Sequence, residues 1–261
     1  MSRDVNLWSV VRAEWIKFRS VRSTVIGVVV TLLLTIGLGA LVTILTRVHW
    51  NMVGPLQRAT FDPVSTSLVG ILFAQFAVGV IGSLFVTSEF STGSIRTTLT
   101  AVPKRYELAL GKLFVLVVSM FVVGEVASFA TFSMGQAIFS GVVPTASLSN
   151  SSVLRAVFFA GLYLTLLSIL AFSLGLLLRQ SAACISVFVS ILLIIPIISL
   201  FFPTSWQNDM QRFFPSEMGH AMISTANVPH DFGATGSLIV LVLYVVVLFV
   251  VGVSVFIRRD T

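Results

Sequence analysis

TVIGVVVTLLLTIGLGALVTIL, residues 24–45, runs for 22 residues without a charge, enough α-helix to cross a hydrocarbon core about 30 Å thick. Four further charge-free runs of similar length follow at 66–87, 156–178, 182–202 and 236–257. A sixth, 113–139, is 27 residues long and carries one charge, Glu125. The composition agrees: 56% of the 261 residues are hydrophobic, 10% are charged, and the mean hydropathy is +1.03. Soluble domains run near a quarter charged, so the chain reads as an all-α integral membrane protein of six transmembrane helices. Residues 1–261 form one transmembrane domain in this reading, with no soluble domain and no internal repeat.

Six spans put both ends of the chain on one side, and the basic residues name the side. Arg3, Arg12, Lys17, Arg19, Arg22, Arg96, Lys104, Arg105, Lys112, Arg179, Arg258 and Arg259 flank the spans on one face, against Arg47, Arg58, Arg155 and Arg212 on the other. Cytoplasmic flanks carry the excess of Lys and Arg, so both termini are expected in the cytoplasm of a multi-pass cell-membrane protein. The net charge of +6 is thereby a topology signal, and nucleic acid is not expected as a partner. The first apolar run is too long for the core of a cleaved signal and reads as a retained helix. Cys184 is the single cysteine and forms no internal disulfide.

Two polar stretches lie on the basic side. In residues 1–23, Trp8, Val11, Trp15 and Phe18 recur at helical spacing, with Arg12, Lys17, Arg19 and Arg22 mostly elsewhere around the helix. This is the pattern of an interfacial amphipathic helix facing lipid with its aromatic side, although a plain positive-inside anchor has the same composition. The second stretch is SEFSTGSIRTTLTAVPKRYELALGK, residues 88–112. Ile95, Thr98, Leu99 and Val102 share one helical face, and Pro103 ends the helix before Lys104 and Arg105. A short helix at about 89–102 is therefore expected to lie across the ends of the spans.

That stretch resembles the membrane subunits of ABC-2 type transporters, the six-helix permeases of ATP-driven exporters. The likeness is in an acidic-aromatic pair, a Gly, Ile-Arg, a Leu, Pro, a basic residue and then Gly-Lys opening the third span. The N-terminal AEWIKFRSVRS, residues 13–23, is similar to the same family's basic interfacial helix. The resemblance implies a coupling helix that seats in a groove of a separate ATP-hydrolysing subunit, with Glu89, Phe90, Gly93, Ile95, Arg96, Leu99 and Pro103 as the contacts. It also implies a second permease subunit, identical or homologous, and export of a hydrophobic or amphipathic compound. No G-x-x-x-x-G-K-[ST] occurs in the sequence, so ATP and Mg²⁺ are expected on the partner and the chain is not expected to be an enzyme. The alternative is a non-transporting membrane anchor or regulatory subunit, which would carry the same docking helix.

Within the spans, Glu125 is residue 13 of 27 and Gln75 is residue 10 of 22, at similar depth. A charge there is costly, so Glu125 is expected to face the bundle with a raised pKa and to share a hydrogen bond with Gln75. It is either interhelical glue, the preferred reading, or a contact on the translocation path. Between spans five and six, Pro203 and Pro215 bracket a short external helix, with Trp206, Met210, Phe213 and Phe214 at helical spacing. By the resemblance, Phe213 and Phe214 are the candidates for an outer gate. Glu217, His220, His230 and Asp231 follow, but nothing in their spacing fixes a ligand geometry, and no metal is expected. Pro196 should kink the fifth span, and Gly37 and Gly39 are expected at a close helix contact.

Overall fold

The computed structural model describes residues 7–102, 104–225 and 231–258; the side chains of Arg96 and Ala101 fall outside that description. Among the described residues the chain is helical, without strands. Six helices are long and apolar enough to cross a membrane: α2 (Arg22–Met52), α5 (Ile71–Ser91), α7 (Arg105–Phe139), α8 (Ser151–Leu178), α9 (Ser181–Ser199) and α12 (Gly233–Arg258). Shorter helices connect them: α1 (Leu7–Ser20) precedes α2, and α3 (Pro55–Ala59) and α4 (Pro63–Ser67) precede α5. Helix α6 (Ser94–Ala101) joins α5 to α7, and α10 (Thr204–Gln211) and α11 (Pro215–Ile223) join α9 to α12.

The core is built around α8. Of its most apolar window 83% is buried, against 17% in α9 and α12, because α5, α7 and α12 all pack on it. A helix apolar on every side has no solvent or lipid face to spare, and small residues let its neighbours approach. A Cβ at Gly82 of α5 would collide with the Ser168 carbonyl of α8. One at Gly124 of α7 would stand 2.5 Å from the Gly161 carbonyl.

Two spans contain π-turns. In α2 the turn is Leu34–Leu38, and the carbonyl of Thr35 within it accepts from the Thr131 hydroxyl of α7 at 3.1 Å, so the irregular backbone is satisfied inside the bundle. Gly39 is the small residue at this contact, since a Cβ there would strike Thr131, whereas Gly37 faces open space. In α9 the π-turn Ser190–Ile194 directly precedes the segment in which Pro196 takes an early position. The irregularity expected from the proline thus begins before it, where the ladder must accommodate the missing N–H.

The ends of several spans differ from their apolar runs. The second span is broken after α4, with a turn at 68–70, so α5 starts at Ile71 and continues through Glu89 and Phe90. Those two residues belong to the span helix. The short helix proper begins after Gly93, whose φ of +72° ends α5 and which carries no Cβ to clash. Between the last two spans, α10 is the helix bracketed by Pro203 and Pro215, and α11 is a second one that is buried almost throughout.

Candidate functional site

Where α1, α5 and α7 meet, beside α6, four charged side chains form a closed set. The Lys112 ammonium donates to Glu14 Oε2 at 2.8 Å and to Glu89 Oε1 at 2.7 Å. Lys17 donates to Glu14 Oε1 at 3.0 Å and to the same Glu89 Oε1 at 2.8 Å. Glu14 and Lys112 are each 2% exposed and Glu89 8%; Lys17 closes the set from its half-exposed rim. The ammonium of Lys112 also lies 5.1 Å from the centre of the Phe85 ring.

The local helices explain the arrangement. On α1, Val10, Glu14 and Phe18 recur every four residues and are all buried, so the helix turns its sole described acid inward along with its apolar residues. Phe18 reaches the ring of Phe85 at 5.6 Å, edge to face. Phe18 is therefore a bundle contact rather than part of the exposed aromatic side, on which Trp8 and Trp15 remain. Glu89 comes from the last turns of α5 and Lys112 from the second turn of α7, so three helices converge on a charge-neutral knot. Three buried charges are tolerated only with partners of this quality. Burial alone would lower the Lys17 ammonium, but the hydrogen bond it donates to Glu89 and the charges of Glu14 and Glu89 outweigh it and hold its pKa above the ordinary lysine value.

A cavity of about 470 Å³ adjoins the knot, lined by its four charged residues, by Val21, Leu84 and Phe85, and by hydroxyls that include Ser88 of α5, Thr97 of α6 and Thr92 between them. Glu89 Oε2 is buried and has no hydrogen-bond partner among the described residues.

Helix α6 turns its apolar face into the bundle: Ile95 and Val102 are buried and Leu99 packs against the core. The predicted contacts therefore divide. Glu89, Ile95 and Leu99 hold α6 and the knot in place, and Phe90 is packed inward, its ring 6.1 Å from Phe256 and 5.3 Å from the Arg179 guanidinium. Gly93, Thr97 and Thr100 are exposed. The side chain of Arg96, and Pro103 altogether, lie outside the described residues.

Gln75 and Glu125 are not joined. Gln75 Oε1 accepts from the Tyr163 hydroxyl of α8 at 2.6 Å, while both Glu125 oxygens are buried without a hydrogen-bond partner among the described residues. The Glu125 carboxyl lies against Gly161, where a Cβ would stand 2.7 Å from it. Tyr163 in turn is packed against Gly219 of α11. Phe214 is buried and lines an apolar cavity of about 540 Å³ with Leu170, Ile191, Ile195 and Tyr244. Phe213 is exposed, 5.3 Å from the Phe232 ring, and the Arg212 guanidinium lies over both rings. His230 lies outside the described residues.

Sequence reasoning took in Glu89 but missed its partners Lys17 and Lys112 and the second acid of the knot, Glu14. The signal was present for Glu14, an acid four residues from Val10 on one side and from Phe18 on the other.

A family model described as a protein of unknown function (DUF2705) matches residues 48–261. The chain belongs to the DUF2705 family. The match begins near the end of α2, so it takes in Glu89 and Lys112 but not Glu14 or Lys17. No curated protein matches the chain.

Proposed function

We propose that this DUF2705 chain is the permease subunit of an ABC-2 type exporter. It sits in the cell membrane with both termini cytoplasmic, α1 at the inner surface, α6 as the coupling helix, and α10 and α11 on the outer side. A separate subunit binds ATP and Mg²⁺, and a second permease subunit completes the translocation pathway for a hydrophobic or amphipathic compound. The basic flanks of the spans support the orientation.

The observation that carries the reading is α6: an eight-residue helix between two span helices, sealed by its apolar face and offering an outward face with Thr97 and Thr100. Its span neighbours α5 and α7 are locked to each other and to α1 by the Glu14–Lys17–Glu89–Lys112 knot. A push on such a helix moves the spans as a body rather than deforming a loop. Single-oxygen sharing by two lysines makes Glu89 the joint of this assembly.

The test is co-purification in detergent of the chain with Thr97→Glu and Thr100→Glu, both on the exposed face, scoring a bound ATPase and its ATP turnover. Capture of an ATPase by the unsubstituted chain and loss by the folded variant is the expected result. If neither chain captures one, the anchor or regulatory reading replaces the exporter reading.

A further inference from the structure

Helix α1 leaves a groove open against α7. Leu7, Trp8 and Val11 form one wall and Leu110, Phe114 and Val117 the other, enclosing about 660 Å³ of almost wholly apolar space, within the range of about 300–1,000 Å³ typical of small-molecule sites. Along α7 the exposed residues Leu110, Phe114, Val118, Val122 and Val126 recur every four positions. The groove thus opens onto a continuous apolar strip that runs down the span. At its other edge the chemistry changes. Trp8, Arg12, Trp15 and Arg19 fall at i, i+4, i+7 and i+11, one stripe of α1, and all four are exposed. Arg12, Arg19 and the nearby Arg22 have no ion pair among the described residues, and the acid of α1 in the described residues, Glu14, is turned inward.

An apolar slot continuous with a span, bordered by a stripe of tryptophan and arginine, matches a molecule with a long alkyl chain and a negatively charged head. We propose that the groove between α1 and α7 is a binding site for an anionic phospholipid, with an acyl chain between the two helices and the phosphate on Arg12 and Arg19. The inference rests on the proposed placement of α1 at the cytoplasmic surface. It goes beyond general adhesion of a basic helix, because the chain has a place of its own between α1 and α7. The lipid would then hold α1 from one side while the buried knot holds it from the other.

The probe is brominated lipid, which quenches tryptophan fluorescence on contact. A chain with Trp15→Phe, Trp50→Phe and Trp206→Phe retains Trp8 alone and is reconstituted in vesicles of phosphatidylcholine containing either brominated phosphatidylglycerol or brominated phosphatidylcholine. At equal mole fraction the anionic lipid should quench Trp8 more strongly. Arg12→Gln and Arg19→Gln should each reduce its relative affinity about fivefold, and Val117→Phe, which fills the groove, should reduce quenching by it as well. Equal quenching by the two lipids overturns the proposal, as does a preference that Val117→Phe leaves intact. Absence of quenching by either lipid means that protein covers the groove and overturns it too. Native mass spectrometry of the unsubstituted chain, scoring phosphatidylglycerol against phosphatidylcholine retained through delipidation, gives the same answer independently of how the variants fold. Loss of the preference with ATPase capture intact sinks the lipid site alone; the preference without ATPase capture sinks the exporter reading alone.

Discussion

Replacing Lys112 with Met keeps most of the side chain's volume and removes the charge at the centre of the knot. The loss comprises two charge-assisted hydrogen bonds, at 2.7 and 2.8 Å, in a position 2% exposed. It leaves Glu14 Oε2 without its donor, while Glu89 Oε1 and Glu14 Oε1 keep Lys17. Breaking a buried pair from one side costs about 3–5 kcal/mol. Lys17 survives and reaches solvent, which offsets part of the imbalance, so the low end, about 3 kcal/mol, is expected. For a chain of this size each kcal/mol moves the midpoint by about 2–4 °C, giving a fall of about 6–12 °C. The assay is thermal unfolding in detergent followed by tryptophan fluorescence, with Glu14→Gln and the double variant measured alongside. The two changes should be non-additive by about 1–3 kcal/mol, because each removes the same bond. A shift below about 2 °C, or strictly additive changes, would mean that the four charges are a solvated surface cluster and that α1 is held by its apolar contacts alone.

Two further outcomes concern Lys17 of the knot and Glu125 of α7. The raised pKa of Lys17 makes its contribution to stability fully present below about pH 10.4, the unfolded value, and lost as pH rises through the folded one. Thermal midpoints should therefore fall more steeply above that pH for the unsubstituted chain than for Lys17→Met. Glu125→Met removes a carboxyl that has no hydrogen-bond partner among the described residues and should raise the midpoint by a few degrees, for a gain of about 1–2 kcal/mol. A fall instead would show that Glu125 meets a polar partner from outside this chain.

The spans were legible because length and lack of charge are properties of single segments; the start of α6 was not, since a helix expected from residue 89 passes over Gly93, whose left-handed backbone divides α6 from α5. The face of α6 was legible too, since Ile95, Leu99 and Val102 repeat at helical spacing. What it packs against was not. The apolar face that suggested a docking surface is spent within the bundle, and only three-dimensional packing decides between those uses of one stripe. The partnership of Gln75 with Tyr163 was hidden for a related reason. The two lie 88 residues apart, and how each span is rotated about its axis depends on neighbours that hydropathy does not name. The burial of α11 depends likewise on Gly219 lying flat against Tyr163, a contact with no trace in composition. Glu14 is the opposite case: its position between Val10 and Phe18 declared its direction, and only its partners had to come from the fold.

The enclosure of α8 has a bearing on how the molecule is made. This helix is fourth of the six to leave the ribosome, and α5 and α7 are already present to receive it. The side that α12 covers lacks this cover from its own chain until α12 is synthesised. During that interval α11, which packs on both α8 and α12, has only half of its seat. The centre of the protein is therefore closed by a helix made after the one it covers, so a chain interrupted before Gly233 would be left open at its middle.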